Sequence, residues 1–303
     1  MDQAPSLKNA AVWNVALYGL PVLYVLWLRF GLPVPFCDDA LITMSAVRNF
    51  AEGEGLWFDP RQRVQIVTGP LWAVPVASLR ALGMDVLSAA TFFGALFDVS
   101  MVLVITHLGR LLSGWAGVGM IAAVLAAMNP HVTMLASFRG METSLSLTVI
   151  AASFVAFFLH RNALALLLGV VAVMARFDGL LALGCVGLAW LFRQRKSLLQ
   201  PDTLRELVPA GVLAVLYGSV GWWFAGSPIP WSVERKSAVA SPEFFGEQWV
   251  KNATKIATKF WDSAIGIVEF HTRHDPPTDA AQFGIDLAYW MGVPAVIGVF
   301  VLL

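Results

Sequence analysis

The chain reads as a series of apolar runs separated by short polar breaks. Residues 9–30 form the first run and 31–69 a polar stretch, after which apolar segments recur near 70–83, 86–108, 115–128, 143–160, 162–175, 178–192, 207–226 and 286–303. These runs are continuously apolar rather than alternating, which excludes a β-barrel and predicts an all-α bundle of Gly-, Ala- and Leu-rich helices packed closely in lipid. At ~1.5 Å per residue the first run is long enough to cross a ~30 Å hydrocarbon layer. Its exit, Arg29-Phe30-Gly31-Leu32-Pro33, offers no small-residue cleavage site, so it is predicted to remain as an anchor.

Two stretches depart from the plain apolar pattern. Within 38–52, Asp38, Ser45, Asn49 and Glu52 fall on one helical face and Ala40, Met44, Val47 and Ala51 on another, which predicts a helix lying along the membrane interface. Within 162–192, Ala175-Arg176-Phe177-Asp178-Gly179 separates two segments too short to cross alone, so they read as two halves of one broken helix or as a re-entrant pair.

The basic loop Arg193-Gln194-Arg195-Lys196, with Arg205, predicts a cytoplasmic position by the positive-inside rule, and Lys8 keeps the amino terminus on the same side. The stretches 31–69 and 227–285 then both lie outside and face each other. Six apolar segments separate 31–69 from the basic loop where an odd number is required, so one of them does not span; 162–192 is the expected exception.

Composition agrees with a multi-pass membrane protein: of 303 residues, 58% are hydrophobic and 13% charged, and the mean hydropathy is +0.70. With a formal net charge of zero, nothing suggests nucleic-acid binding or a polybasic membrane-surface tail. Cys37 and Cys185 cannot build a disulfide framework. The expected organisation is a transmembrane module over 1–226, an external segment over 227–285 and a last span over 286–303, with Leu303 ending either a helix inside the membrane or a fragment of a longer chain.

Candidate chemistry sits at the breaks. Adjacent carboxylates Asp38-Asp39 follow the first span, where ionised groups need solvation, a partner or a metal; they read as a general base with an orienting neighbour, or as a helix start favoured by the dipole. Glu142 opens an apolar run with Arg139 three residues before it, within helical reach. Arg176 and Asp178 read as an ion pair across the break, and Arg235 and Lys236 as phosphate binders or solvated loop residues. His271, His274 and Asp275 have no fixed third partner and read as a solvated loop. Trp222-Trp223 and Trp249 read as interfacial anchors.

Taken together, Asp38-Asp39-Ala40 with Ile42, Arg48-Asn49, Gly53 and Gly55, then Pro70-Leu71-Trp72, resembles the first external loop of GT-C glycosyltransferases, closest to the actinobacterial arabinofuranosyltransferase branch. Further marks follow in family order: Arg139-Gly140-Met141-Glu142-Thr143, Ala175-Arg176-Phe177-Asp178-Gly179, and Gly226-Ser227-Pro228-Ile229-Pro230 with Lys236. Phe177, Trp231 and Gly69 depart from the usual Pro, Asn and Ser.

The resemblance implies an inverting transferase in the plasma (inner) membrane with its active site on the extracytoplasmic face. It would move a pentose or hexose from a polyprenyl-phosphate donor to a glycan, lipid or protein acceptor. Asp38 is then the expected base, with Asp39 orienting the acceptor or a divalent cation (Mg, Mn or Ca), and the two roles are interchangeable. Lys236, Arg139, Glu142, Arg176, Asp178 and Arg48 are the expected donor and substrate contacts. The rival readings are a flippase for polyprenyl-linked glycans, with Glu142, Arg176 and Asp178 lining a polar path, and a truncated non-catalytic relative.

Overall fold

The computed structural model describes residues 7–31, 38–57, 67, 69–128, 140–177 and 179–225. Among them are ten α-helices and no strand: α1 (Leu7–Gly31), α2 (Asp38–Ala51), α3 (Pro70–Ala81), α4 (Val86–Ser113), α5 (Ala116–Met128), α6 (Thr143–Phe158), α7 (Asn162–Ala175), α8 (Gly179–Gln194), α9 (Pro201–Arg205) and α10 (Val208–Ala225). Two stretches, Val86–Ser113 and Pro201–Trp223, are long and apolar enough to cross a membrane by length and composition. The segment 227–285 and the last apolar run lie outside the described residues.

Local signals set the helix ends. Asp85 caps α4 by accepting from the backbone N–H of Leu87 at 3.1 Å and Ser88 at 3.0 Å, filling donors that have no partner in the first turn. Gly114 stops the same helix at φ 70, a left-handed conformation that a Cβ would disfavour. Pro70 starts α3, where its missing N–H is not needed.

Packing is by successive antiparallel neighbours. A Cβ built at Gly119 would collide with the Thr106 carbonyl, and one at Gly109 would meet Gly119, so small residues bring the α4 and α5 backbones into contact. α7 and α8 fold back on each other: Gly169 lies against Leu183 and Gly179 against the backbone of Ala172. The region 162–192 is therefore a helical hairpin and not one helix broken in the middle, because Gly179 lets the chain reverse tightly after Arg176. α1 runs antiparallel to α4, with Arg29 beside Gly94 and Asp98 and Val25 in one cluster with Met101 and Val102.

In α2 the apolar face is buried as its spacing predicts, through Ala40, Met44 and Val47. Asn49 departs from the predicted polar face. It is buried and its Nδ2 donates to the Trp57 carbonyl at 2.8 Å, satisfying a backbone group where the chain turns after the helix. Glu52 lies just past the helix and meets Arg80 of α3 at 3.6 Å in a half-exposed pair.

Apolar burial forms three clusters. One joins α2, α3 and α4 to the start of α6 and the end of α7 around Trp72; another joins α1, α4 and α5; the third joins α6, α7, α8 and α10. Beside this third cluster, Glu206 accepts from Trp190 Nε1 at 2.6 Å and Asn162 Nδ2 at 3.1 Å. Arg193 donates to the Phe157 carbonyl at 2.9 Å and stacks 3.7 Å over the Phe157 ring, closing the open end of α6.

Candidate functional site

Three segments far apart in sequence meet at the end of the bundle opposite Arg193. Gly69 and Trp72 come from the start of α3, Gly140 and Glu142 from the turn before α6, and Ala175 and Arg176 from the end of α7. Trp72 is buried, and its Nε1 donates to the Gly140 carbonyl at 3.0 Å. Gly140 holds φ 95, the left-handed region that glycine adopts without strain, and so lets the chain turn sharply into α6. A Cβ at Gly69 would strike the Ala175 carbonyl and lie 3.1 Å from Glu142 Cγ. A side chain at position 69 therefore does not fit unless the Ala175 backbone shifts.

Glu142 is the residue before the first turn of α6, yet its side chain makes no capping hydrogen bond. Its Oε1 instead accepts from Arg176 Nη1 at 3.1 Å. The Glu142 side chain is sealed at 7% exposure while the Arg176 side chain is 30% exposed. Arg176 therefore pairs across two helices with Glu142, a partner that lies beyond the i,i+4 range of sequence spacing. Arg139 and Asp178, the neighbours expected to pair with these two, lie outside the described residues.

A second buried ion pair flanks the same turn. Arg29 Nε donates to Asp98 Oδ2 at 2.5 Å, both side chains being almost fully buried, and Ser144 Oγ donates to Asp98 Oδ1. Neither residue stands among the expected site residues. The signal for Asp98 was present, because a carboxylate inside the apolar run 86–108 is costly at membrane depth and needs a partner. Arg29 ends its own apolar run and reads from sequence only as a helix exit.

The remaining expected residues divide by location. Asp38 and Asp39 form the first turn of α2, with the placement of their side chains outside the description. Arg48 is exposed in the last turn of α2, where a cation meets the negative end of the helix dipole. Lys236 lies outside the described residues. Among the described residues no three His, Cys, Asp or Glu gather in a group able to hold a metal ion.

Chemically, the convergence offers a guanidinium held by a buried carboxylate on a partly exposed side chain, at the end of the bundle that also receives the chain from α2 into α3. Such a guanidinium suits an anionic group approaching from that end, because its geometry is held before binding. No protein-family model, no characterised protein and no solved structure matches the chain.

Proposed function

We propose that the chain is an inverting, membrane-embedded GT-C-type glycosyltransferase that moves a sugar from a polyprenyl-phosphate donor to an extracytoplasmic acceptor. The observation that carries this reading is the convergence just described. Three of the segments on which the resemblance rests, around 69–72, 140–143 and 175–176, touch one another at a single end of the bundle.

The helix directions support a multi-pass arrangement. α3 has 12 residues, ~18 Å of rise, and lies beside the first half of α4, with Trp72 against Phe97. With α3 outside the membrane, α4, α5, α6, α7 and α8 give five crossings between 31–69 and the basic loop, an odd number as the charge pattern requires. The exception to spanning is then α3, and not 162–192. α6, α7 and α8 have 16, 14 and 16 residues, so they suit a bilayer thinned around the protein. Arg110, Arg161, Arg193, Arg195, Lys196 and Arg205 all fall at the opposite end from Glu142, a bias that supports a cytoplasmic position for that end and an external one for the candidate site.

In the proposed reaction the acceptor hydroxyl oxygen attacks the anomeric carbon, the bond from that carbon to the phosphate oxygen breaks, and polyprenyl phosphate departs. Asp38 takes the hydroxyl proton and Asp39 orients the acceptor. Arg176 and Lys236 stabilise the phosphate as negative charge grows on it. Asp39 is also where the resemblance would put a divalent cation.

The test is release of polyprenyl phosphate from labelled polyprenyl-phosphosugars by the purified protein, with glycan, lipid and protein acceptors offered. Asp38→Asn is nearly isosteric and should lower turnover by ~10²–10⁴-fold, the usual contribution of a general base, with folding intact. Wild-type turnover by that variant would remove Asp38 from the role and pass it to Asp39, tested by Asp39→Asn. Movement of the intact lipid across liposomes without cleavage would overturn the transferase reading in favour of a flippase.

A further inference from the structure

We propose that Asp98 is a positioning residue: its carboxylate, held by Arg29, fixes Ser144 and through it the turn from which Glu142 reaches Arg176. The two carboxylate oxygens are committed in different directions, Oδ2 toward α1 through Arg29 and Oδ1 toward the first turn of α6 through Ser144. Ser144 stands two residues after Glu142. A second link runs from the neighbouring residue of α4: Thr148 Oγ1 donates to the Phe97 carbonyl at 3.1 Å, and the Phe97 ring packs 6.1 Å from Trp72, whose Nε1 holds Gly140. Residues 97–98 thus grip the 140–148 segment before and after Glu142.

The seat for Arg29 is built into α4. A Cβ at Gly94 would fall among the guanidinium atoms, so the missing side chain one turn before Asp98 leaves the room that Arg29 occupies. A buried ion pair is often no more stabilising than apolar residues of the same volume, because desolvation offsets the attraction. What it supplies is direction. It ties α1, α4 and α6 in one register at the end where Glu142 and Arg176 meet.

The effect on transfer rests on the glycosyltransferase reading, whereas the effect on the turn does not. The experiment is hydrogen exchange of the full chain in nanodiscs, read at the amides of 146–148. Ser146 N–H, bonded to the Glu142 carbonyl at 3.0 Å, reports opening of the first turn of α6. Ser144→Ala removes only the hydroxyl, and Gly94→Ala displaces Arg29 without touching Asp98 or Ser144.

Each variant should speed exchange at 146–148 by about tenfold, the effect of one charge-assisted hydrogen bond, with exchange in α8 and α10 unchanged. In the transfer assay each should lower kcat with the donor KM unchanged. Unchanged exchange at 146–148 in both variants would overturn the proposal, as would an equal rise in every helix, which marks a general loss of stability. If the wild-type protein transfers no sugar, the glycosyltransferase reading falls while the exchange pattern still decides the role of Asp98.

Discussion

Gly69 shows what a single missing side chain does at the candidate site. The contact with the Ala175 carbonyl involves backbone that cannot rotate away, so even a methyl group at 69 must push α3 off α7. Gly69→Ala is expected to destabilise the protein by about 1–3 kcal/mol, the usual effect of overpacking, seen as a lower thermal midpoint. Trp72→Phe keeps the apolar bulk but orphans the Gly140 carbonyl, which should cost about 1–3 kcal/mol. A Trp72→Phe midpoint equal to wild type would show that the indole N–H does not hold the 140 turn. Charged residues at the breaks were legible in the sequence because ionisable groups stand out among apolar runs. Their partners were not, since spacing speaks only for neighbours three or four residues apart and Glu142–Arg176 spans 34.

Helix extents followed the apolar runs closely, as the start of α4 at Val86 and of α6 at Thr143 illustrate. Helix directions did not, because an apolar pattern gives length and period but no information on which way the next helix turns. The close glycines carry that information, and they make a paired prediction. Gly119→Val would drive a branched side chain into the Thr106 carbonyl and the Arg110 backbone, separating α4 from α5 and lowering the thermal midpoint sharply. Gly184→Ala, on α8, meets nothing within 4 Å and should be neutral or stabilising by up to ~1 kcal/mol, since alanine favours the helix. Equal midpoints for the two variants would mean that the α4–α5 crossing is loose. Asn49 shows the limit of a helical wheel: its polarity placed it on the outer face, but the turn that ends α2 needs a donor for the Trp57 carbonyl and draws it inward.

For the molecule as a whole, the proposed arrangement depends on α3 remaining on the external side. Its antiparallel run along the start of α4 carries the chain from the level of Glu142, where Gly69 sits, to the 82–85 turn, away from the basic end. Single cysteines in a background lacking Cys37 and Cys185 test this directly. Glu54→Cys and Leu82→Cys, both at exposed positions, should react with a membrane-impermeant maleimide from the same side, and Ser197→Cys from the other. Labelling of position 82 together with 197 would make α3 a span and restore the parity conflict. Labelling of all three from one side would require an even number of crossings between 82 and 197, against the five proposed. Labelling of 54 from the cytoplasm and 197 from outside would invert the molecule and take the candidate site away from any extracytoplasmic acceptor. Only the expected pattern leaves Arg176 beside the compartment from which an acceptor must approach, so topology is the cheapest measurement able to end the glycosyltransferase reading before any substrate is made.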